Sequence, residues 1–151
     1  TITKKKENLS ALLHDVVDFE TESAIDRGIA LSANIGKLPI VSIDKNRITQ
    51  VIINLLNNSI KHSNASKISV EAEKKGTHVE IRIKDNGQGL PKDSVDRLFT
   101  PFFVSQESTE SGGAGLGIYI CKGLIDVHGG KIWVESKVGK GTTFFISLPM
   151  K

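Results

Sequence analysis

The chain has 151 residues, 38% hydrophobic and 25% charged, which suits one globular domain with enough apolar matter for a core. Its net charge of +3 is spread along the chain apart from Lys4-Lys5-Lys6, and aromatics make up 5%, which excludes a nucleic-acid surface built from clustered cations and stacking rings. A single cysteine, Cys121, rules out an internal disulfide or a cysteine-built zinc site, and no apolar run is long enough to span a bilayer.

Leu9, Leu12, Leu13, Val16 and Val17 recur at helical spacing, and the pattern fades over residues 22–28. Ile29, Leu31, Ala33 and Ile35 then alternate with Ala30, Ser32 and Asn34, as a strand does. A turn over residues 36–39 leads to a short extended piece, Ile40 to Ile43. Asp44 is a good N-cap for a helix whose apolar face is Ile48, Val51, Ile52, Leu55, Leu56 and Ile60. Two alternating runs follow, Ile68 to Glu73 and His78 to Lys84, parted by Lys75-Gly76-Thr77; they form a hairpin with one wet and one buried face. After a glycine-rich turn comes a short helix near Asp93 to Leu98, and then a polar loop over residues 105–113. The next helix carries Leu116, Ile120, Leu124 and Val127 on one side and stops at Gly129-Gly130. Strands over residues 132–136 and 142–148 flank a Gly139-Lys140-Gly141 turn. The expected class is α+β, with helices packed on one face of a mostly antiparallel sheet.

Three constellations carry chemistry. Asn54, Asn58 and Lys61 lie at i, i+4 and i+7, on one stripe bordering the apolar face. Two amide oxygens and an ammonium suit a metal–phosphate group, although a solvated polar face has the same pattern. Asp85 continues the inward alternation Val79, Ile81, Ile83 and heads Asp85-Asn86-Gly87-Gln88-Gly89. A carboxylate there needs donors, which either a ligand's amino group or its own turn can provide. Gly113-Ala114-Gly115-Leu116-Gly117 directly precedes a helix, where amide N–H groups meet an anion; as a plain flexible linker it would carry no chemistry.

In this order the motifs resemble the ATP-binding domain of sensor histidine kinases, a fold shared with gyrase, heat-shock chaperone and mismatch-repair ATPases. The asparagine box is similar to residues 50–61, the first glycine box to Asp85-Asn86-Gly87-Gln88-Gly89-Leu90, and the phenylalanine box to Leu98-Phe99-Thr100-Pro101-Phe102-Phe103. Gly113 to Ile118, running into His128-Gly129-Gly130-Lys131-Ile132, resembles the second glycine box, and Gly141-Thr142-Thr143-Phe144 resembles the closing strand. The resemblance covers residues 24–151 and leaves 1–23 as the end of a dimerisation helix or a linker.

It implies a two-layer α/β sandwich, a mixed, mostly antiparallel sheet of about five strands with three helices on one face. It implies ATP and Mg²⁺ as cofactors, with Asn58 ligating the metal and Asn54 assisting. Lys61 would meet phosphate, and Asp85 would accept from the adenine amino group. Gly87 and Gly89 would pass close to the base, with Leu90 and Thr142 beside them, and Gly113, Gly115, Leu116 and Gly117 would set amides on the phosphates. Phe102 and Phe103 would hold a lid hinge. The implied partners are a histidine-bearing dimerisation domain outside this chain and, downstream, a response regulator. The implied setting is cytoplasmic, without membrane or nucleic-acid contact by this domain, whether or not the parent protein is membrane-anchored.

Some positions depart from the family pattern. His62 stands where relatives commonly carry an aromatic ring, and can stack on adenine or donate to phosphate. Val104-Ser105-Gln106 follows Phe103 where many relatives place a cation that reaches the phosphates, which bears on affinity and transfer rate. His14 precedes Asp15 but lacks the proline of the family's acceptor box, so the phosphorylated histidine is expected elsewhere; His78, His128, Cys121 and Trp133 read as structural. In the ATPase branch a glutamate matches Asn54, and an amide cannot act as a general base. The expected activity is histidine phosphorylation; the rival is a degenerate nucleotide-binding regulatory module.

Overall fold

The structure is a computed structural model and describes residues 1–100 and 117–151. Five strands form the main sheet in the order β2-β4-β5-β7-β6: β2 (Ala30–Ile35), β4 (Lys67–Lys75), β5 (His78–Asp85), β7 (Gly141–Pro149) and β6 (Lys131–Lys137). β2 runs parallel to β4, and the other pairings are antiparallel. β1 (Lys5–Glu7) and β3 (Val41–Ile43) pair separately as an antiparallel ribbon. The basic run thus lies partly in a strand of three residues, too short for periodicity to reveal.

Helices α1 (Leu9–Asp26), α2 (Lys45–His62) and α4 (Gly117–Val127) pack over one face, and α3 (Lys92–Arg97) is a short turn beside β6. This is the expected two-layer sandwich. α2 is the central helix. Asp44 caps it, Oδ1 accepting from the Arg47 amide at 3.3 Å, while Oδ2 accepts from the Thr3 amide at 2.9 Å. The Asp44 amide donates to Nε2 of buried His128 at 3.1 Å, so the imidazole proton sits on Nδ1 and donates to the Leu124 carbonyl at 2.7 Å. One ring therefore clasps the end of α4 to the start of α2.

α1 belongs to the same core. Leu9, Leu12, Leu13, Val16 and Val17 are buried together with Ile52, Leu55 and Ile83. The boundary expected between residues 23 and 24 falls inside this helix. On α4 the expected face needs correcting. Cys121 and Ile125 are buried, whereas Ile120 and Val127 are 42% and 57% exposed; Leu116 lies outside the described residues. α4 has apolar side chains nearly all round, so spacing alone selects no face, and packing on α2 decides it.

The sheet's other face is wet. Glu71, Arg82, Phe145 and Trp133 form one row across four strands. Arg82 donates to Glu71 at 3.0 Å and to Glu80 at 2.8 Å, and the Trp133 and Phe145 rings stack with centroids 5.1 Å apart. Truncating Leu13 to Ala should cost about 2–5 kcal/mol in urea unfolding, as a deleted core leucine does. Phe19→Ser, at a 73% exposed position of the same helix, should shift stability by less than about 0.5 kcal/mol. Equal, small losses for both would show that α1 is not part of the core.

Candidate functional site

The inward face of the sheet is laid out in rows. Ala72, Ile81, Ile146 and Ile132 make one, and Val70, Ile83, Phe144 and Val134 make the next. The following row turns polar: Ile68 faces Asp85 on one side, and Thr142 pairs with Ser136 on the other. Strand alternation alone therefore delivers a carboxylate to the end of the central strand, under the helices.

Asp85 is 5% exposed. Its Oδ1 accepts from the Gly87 amide at 2.9 Å and the Thr142 amide at 3.2 Å. The first bond is the self-capping turn that the sequence allows. It uses one oxygen, and Oδ2 takes no backbone amide among the described residues. Burial pushes this carboxyl above the usual range, against the pull of the two amides and of the nearby Ser59 hydroxyl. Ser136 completes the row: its Oγ accepts from the Leu90 amide at 2.8 Å, donates to the Gly141 carbonyl at 3.1 Å and lies 2.7 Å from the Thr142 hydroxyl.

The loop after Asp85 is stitched to both sides. The Asn86 side-chain oxygen accepts from the Ser66 and Lys67 amides, both at 3.0 Å. The Gln88 amide donates to Ser63 O at 2.9 Å, and Gln88 O accepts from the Gly139 amide at 2.8 Å. Gly87 and Gly89 are expected to let the chain pass close to a base. The structure shows that both also pass close to the protein's own backbone: a Cβ at Gly87 would lie 2.1 Å from Ser63 O, and one at Gly89 the same distance from Lys137 O. Gly141, at φ +116°, brings its Cα so close to Asp85 that a Cβ would sit 2.1 Å from the Asp85 carbonyl oxygen.

α2 supplies the second wall. Asn54 and Asn58 are half-buried and Lys61 is exposed. Asn54 Nδ2 donates to Cys121 Sγ at 3.8 Å, and that thiol donates to Val51 O at 3.8 Å. Burial holds the thiol at about 11, so it stays protonated. With its nitrogen turned toward α4, Asn54 keeps its oxygen for another partner. Buried Glu20 of α1 lies within electrostatic reach of Lys61: burial raises its carboxyl, and the Lys61 charge opposes the rise. His62 is half-buried at the helix end, and its carbonyl accepts from Gln88 Nε2 at 3.4 Å. Gly117 opens α4 and is exposed. Gly113, Gly115, Leu116, Phe102 and Phe103 lie outside the described residues.

The structure thus brings Asp85, Thr142, Gly87, Gly89 and Leu90 together at one end of α2, with the Asn54, Asn58 and Lys61 stripe along the same helix. Sequence reasoning missed Ser59, Ser136 and Asn86. Ser59 could have been found by count, because it follows Leu55 and Leu56 at i+4 and i+3 and so falls on the buried face. Chemically, the arrangement offers a buried acceptor flanked by apolar surface, beside a helix edge bearing neutral oxygens and a cation. Such a set of groups suits a flat amine-bearing body with a charged tail.

The family described as histidine kinase-, DNA gyrase B- and HSP90-like ATPase matches residues 43–151. The chain is 38% identical over 145 residues to the alginate biosynthesis sensor protein KinB of Pseudomonas aeruginosa, covering 90% of this chain and 24% of KinB. The catalytic domain of histidine kinase ThkA in a nucleotide-free form superposes with a TM-score of 0.86 at 31% identity, over 99% of this chain and 97% of that one. Full-length ShkA in complex with AMPPNP gives a TM-score of 0.88 at 26% identity, over 99% of this chain and 31% of that one. The chain therefore spans about a quarter of the length of KinB and nearly all of the ThkA domain.

Two glycines of the β6–β7 turn test the packing around Asp85. Gly139 has φ +82° with open space where a Cβ would go, while Gly141 faces the Asp85 backbone. Gly139→Ala should cost only backbone strain, about 1–2 kcal/mol. Gly141→Ala should cost clearly more in thermal unfolding, because strain and collision add. Equal losses would show that the approach to Asp85 does not constrain the turn.

Proposed function

This chain belongs to the histidine kinase-, DNA gyrase B- and HSP90-like ATPase family, and we propose from that premise that it binds Mg-ATP as the catalytic domain of a sensor histidine kinase. The phosphoryl group would pass to a histidine on a dimerisation domain outside this chain, and from there to a response regulator. The parent protein would hold the domain on the cytoplasmic side, whether or not it is membrane-anchored. The carrying observation is Asp85, a buried carboxyl with one oxygen fixed by the Gly87 and Thr142 amides. Its second oxygen suits the exocyclic amine of adenine and opposes the carbonyl that guanine carries at that place.

The remaining roles follow from position. Asn54, its nitrogen taken by Cys121, has an amide oxygen to offer a hard cation, and Asn58 one turn on has another. They would hold Mg²⁺ together with the phosphates, and Lys61 would meet the negative tail. Gly117, with Gly113, Gly115 and Leu116, would give backbone amides to the same tail. Thr142 and Leu90 would line the base, and His62 would stack on it or donate to phosphate. ATP supplies the reactive anhydride and Mg²⁺ screens its charge; the protein orients both. Asn54 cannot take a proton from water, so hydrolysis without the acceptor histidine is expected to be slow.

Calorimetric titration with ATP and GTP, with and without Mg²⁺, tests this. ATP should bind with Mg²⁺ dependence and GTP poorly, and phosphate release should be negligible. Asp85→Asn should weaken ATP by about tenfold to a hundredfold, the worth of a charge-assisted hydrogen bond, and should weaken GTP less. The amine favours the ionised carboxyl, whose folded value is raised. ATP affinity of the original should therefore decline as pH falls through that raised value, and the Asn variant should show a flatter profile. No binding under any condition would sink the nucleotide reading. Binding without transfer to a supplied dimerisation domain would leave a regulatory module, and rapid hydrolysis would move the chain to the ATPase branch.

A further inference from the structure

The buried stripe of α1 runs Leu9, Leu12, Leu13, Val16, Val17, Glu20 and Ala24, in helical phase throughout. Every member is apolar except Glu20, whose residue is 6% exposed. The spacing asks for an apolar side chain there, and a carboxylate in its place is costly unless a charge or donors meet it. The nucleotide reading gives this group no part.

The geometry of two helices names its counterpart. α1 and α2 pack side by side and run the same way. Their starts lie together because β1 pairs with β3 and the Thr3 amide donates to Asp44. Their ends meet where Arg27 Nη1 donates to Lys61 O at 3.3 Å. Glu20 lies seven residues before Arg27, on the same side of α1 and about 10 Å back along its axis. A helical side chain leans toward its own N-terminus, so Lys61 reaches back from Arg27 toward the level of Glu20. The Lys61 charge is felt at the Glu20 carboxyl, where it opposes the rise that burial imposes. Neither residue takes part in an ion pair among the described residues, and Lys61 is exposed. Glu20 thus attracts the cation without locking it.

We propose that Glu20 is a phosphate surrogate: in the nucleotide-free domain its carboxylate draws the Lys61 ammonium toward α1, and the anionic tail of the nucleotide must take that ammonium from it. This rests on the nucleotide reading above and adds to it a competitor inside the fold. Once Lys61 turns to the tail, Glu20 is left buried without its counter-charge. Nucleotide and α1 therefore compete for one cation, and occupancy of the cleft is felt in the helix that follows the β1 strand.

Glu20→Gln removes the charge and keeps the shape. The titrants are ADP, which carries the tail, and adenosine, which lacks it. Glu20→Gln should bind ADP about twofold to fivefold more tightly, the range of a half-exposed charge pair, and should bind adenosine as the original chain does. Plain repulsion between Glu20 and the phosphates would give the same gain, so the cycle is closed with Lys61→Met. Lys61→Met should weaken ADP, and adding Glu20→Gln to it should restore nothing. A gain from Glu20→Gln that is equal with and without Lys61 would overturn the proposal, because the carboxylate would then act on the phosphates alone. Unchanged or weaker ADP binding by Glu20→Gln would overturn it as well, while nucleotide binding stands. Should Glu20→Gln not fold, Glu20→Met takes its place in the cycle with the same outcomes. If the original chain binds no ADP, the nucleotide reading itself falls and this inference with it.

Discussion

The structure turns on one carboxyl group placed where the hydrophobic effect would ordinarily put a leucine. β5 is the middle strand of five, and its inward positions are Val79, Ile81, Ile83 and then Asp85. Burying a charge there is costly unless donors surround it. The donors are backbone amides, and amides can approach only where side chains are missing. Gly87 supplies its own N–H across a two-residue turn. Gly141 lets β7 come so close that the next amide, that of Thr142, reaches the same oxygen. Gly89 and Gly87 then let the loop lie against the β6–β7 turn and the end of α2. Much of the glycine spacing here follows from the need to feed one oxygen.

Even so fed, Asp85 titrates above the ordinary range because burial outweighs its amides. The sign matters. A raised folded value means that protonated Asp85 is the form folding prefers. The stabilisation is fully present below the usual carboxylate range and is lost as pH rises through the folded value. Ionised Asp85 is therefore the form that the fold leaves under-compensated. A donor brought to the second carboxyl oxygen would relieve this.

α2 and the strands were legible because their patterns are long and clean: apolar faces at helical spacing, and alternation in β4 and β5. Asp85 was legible for the same reason, as a polar residue in phase with Ile81 and Ile83. α4 was harder, since Ile118, Tyr119, Ile120, Leu124, Ile125 and Val127 circle the helix and only contact with α2 shows that Cys121 and Ile125 point inward. β1 is three residues long and exists through β3, a partner 36 positions away at the Lys6–Ser42 pair. The glycines were legible as sites of close approach, but not the neighbour approached. Ser63 O and Lys137 O are brought there by tertiary structure. Ser59 was hidden by its type, because a serine in an asparagine-rich helix suggests the wet side until its register is counted.

The chemistry is one of holding, and α2 does most of it. Its start is fixed to the end of α4 through Asp44 and His128, and its middle through Val51, Asn54 and Cys121. Both contacts set the same two helices against each other, so the amide oxygens of the stripe and the N-terminus of α4 are registered by packing and need no ligand to align them. His128 must be neutral on Nε2 to accept from the Asp44 amide, and Cys121 must be a thiol to donate to Val51. Neither group in its present bonding is free to serve as a base. Asn54 and Asn58 cannot be bases at all. Asn54, Asn58, His128 and Cys121 can thus hold and orient groups around them without taking a proton from them.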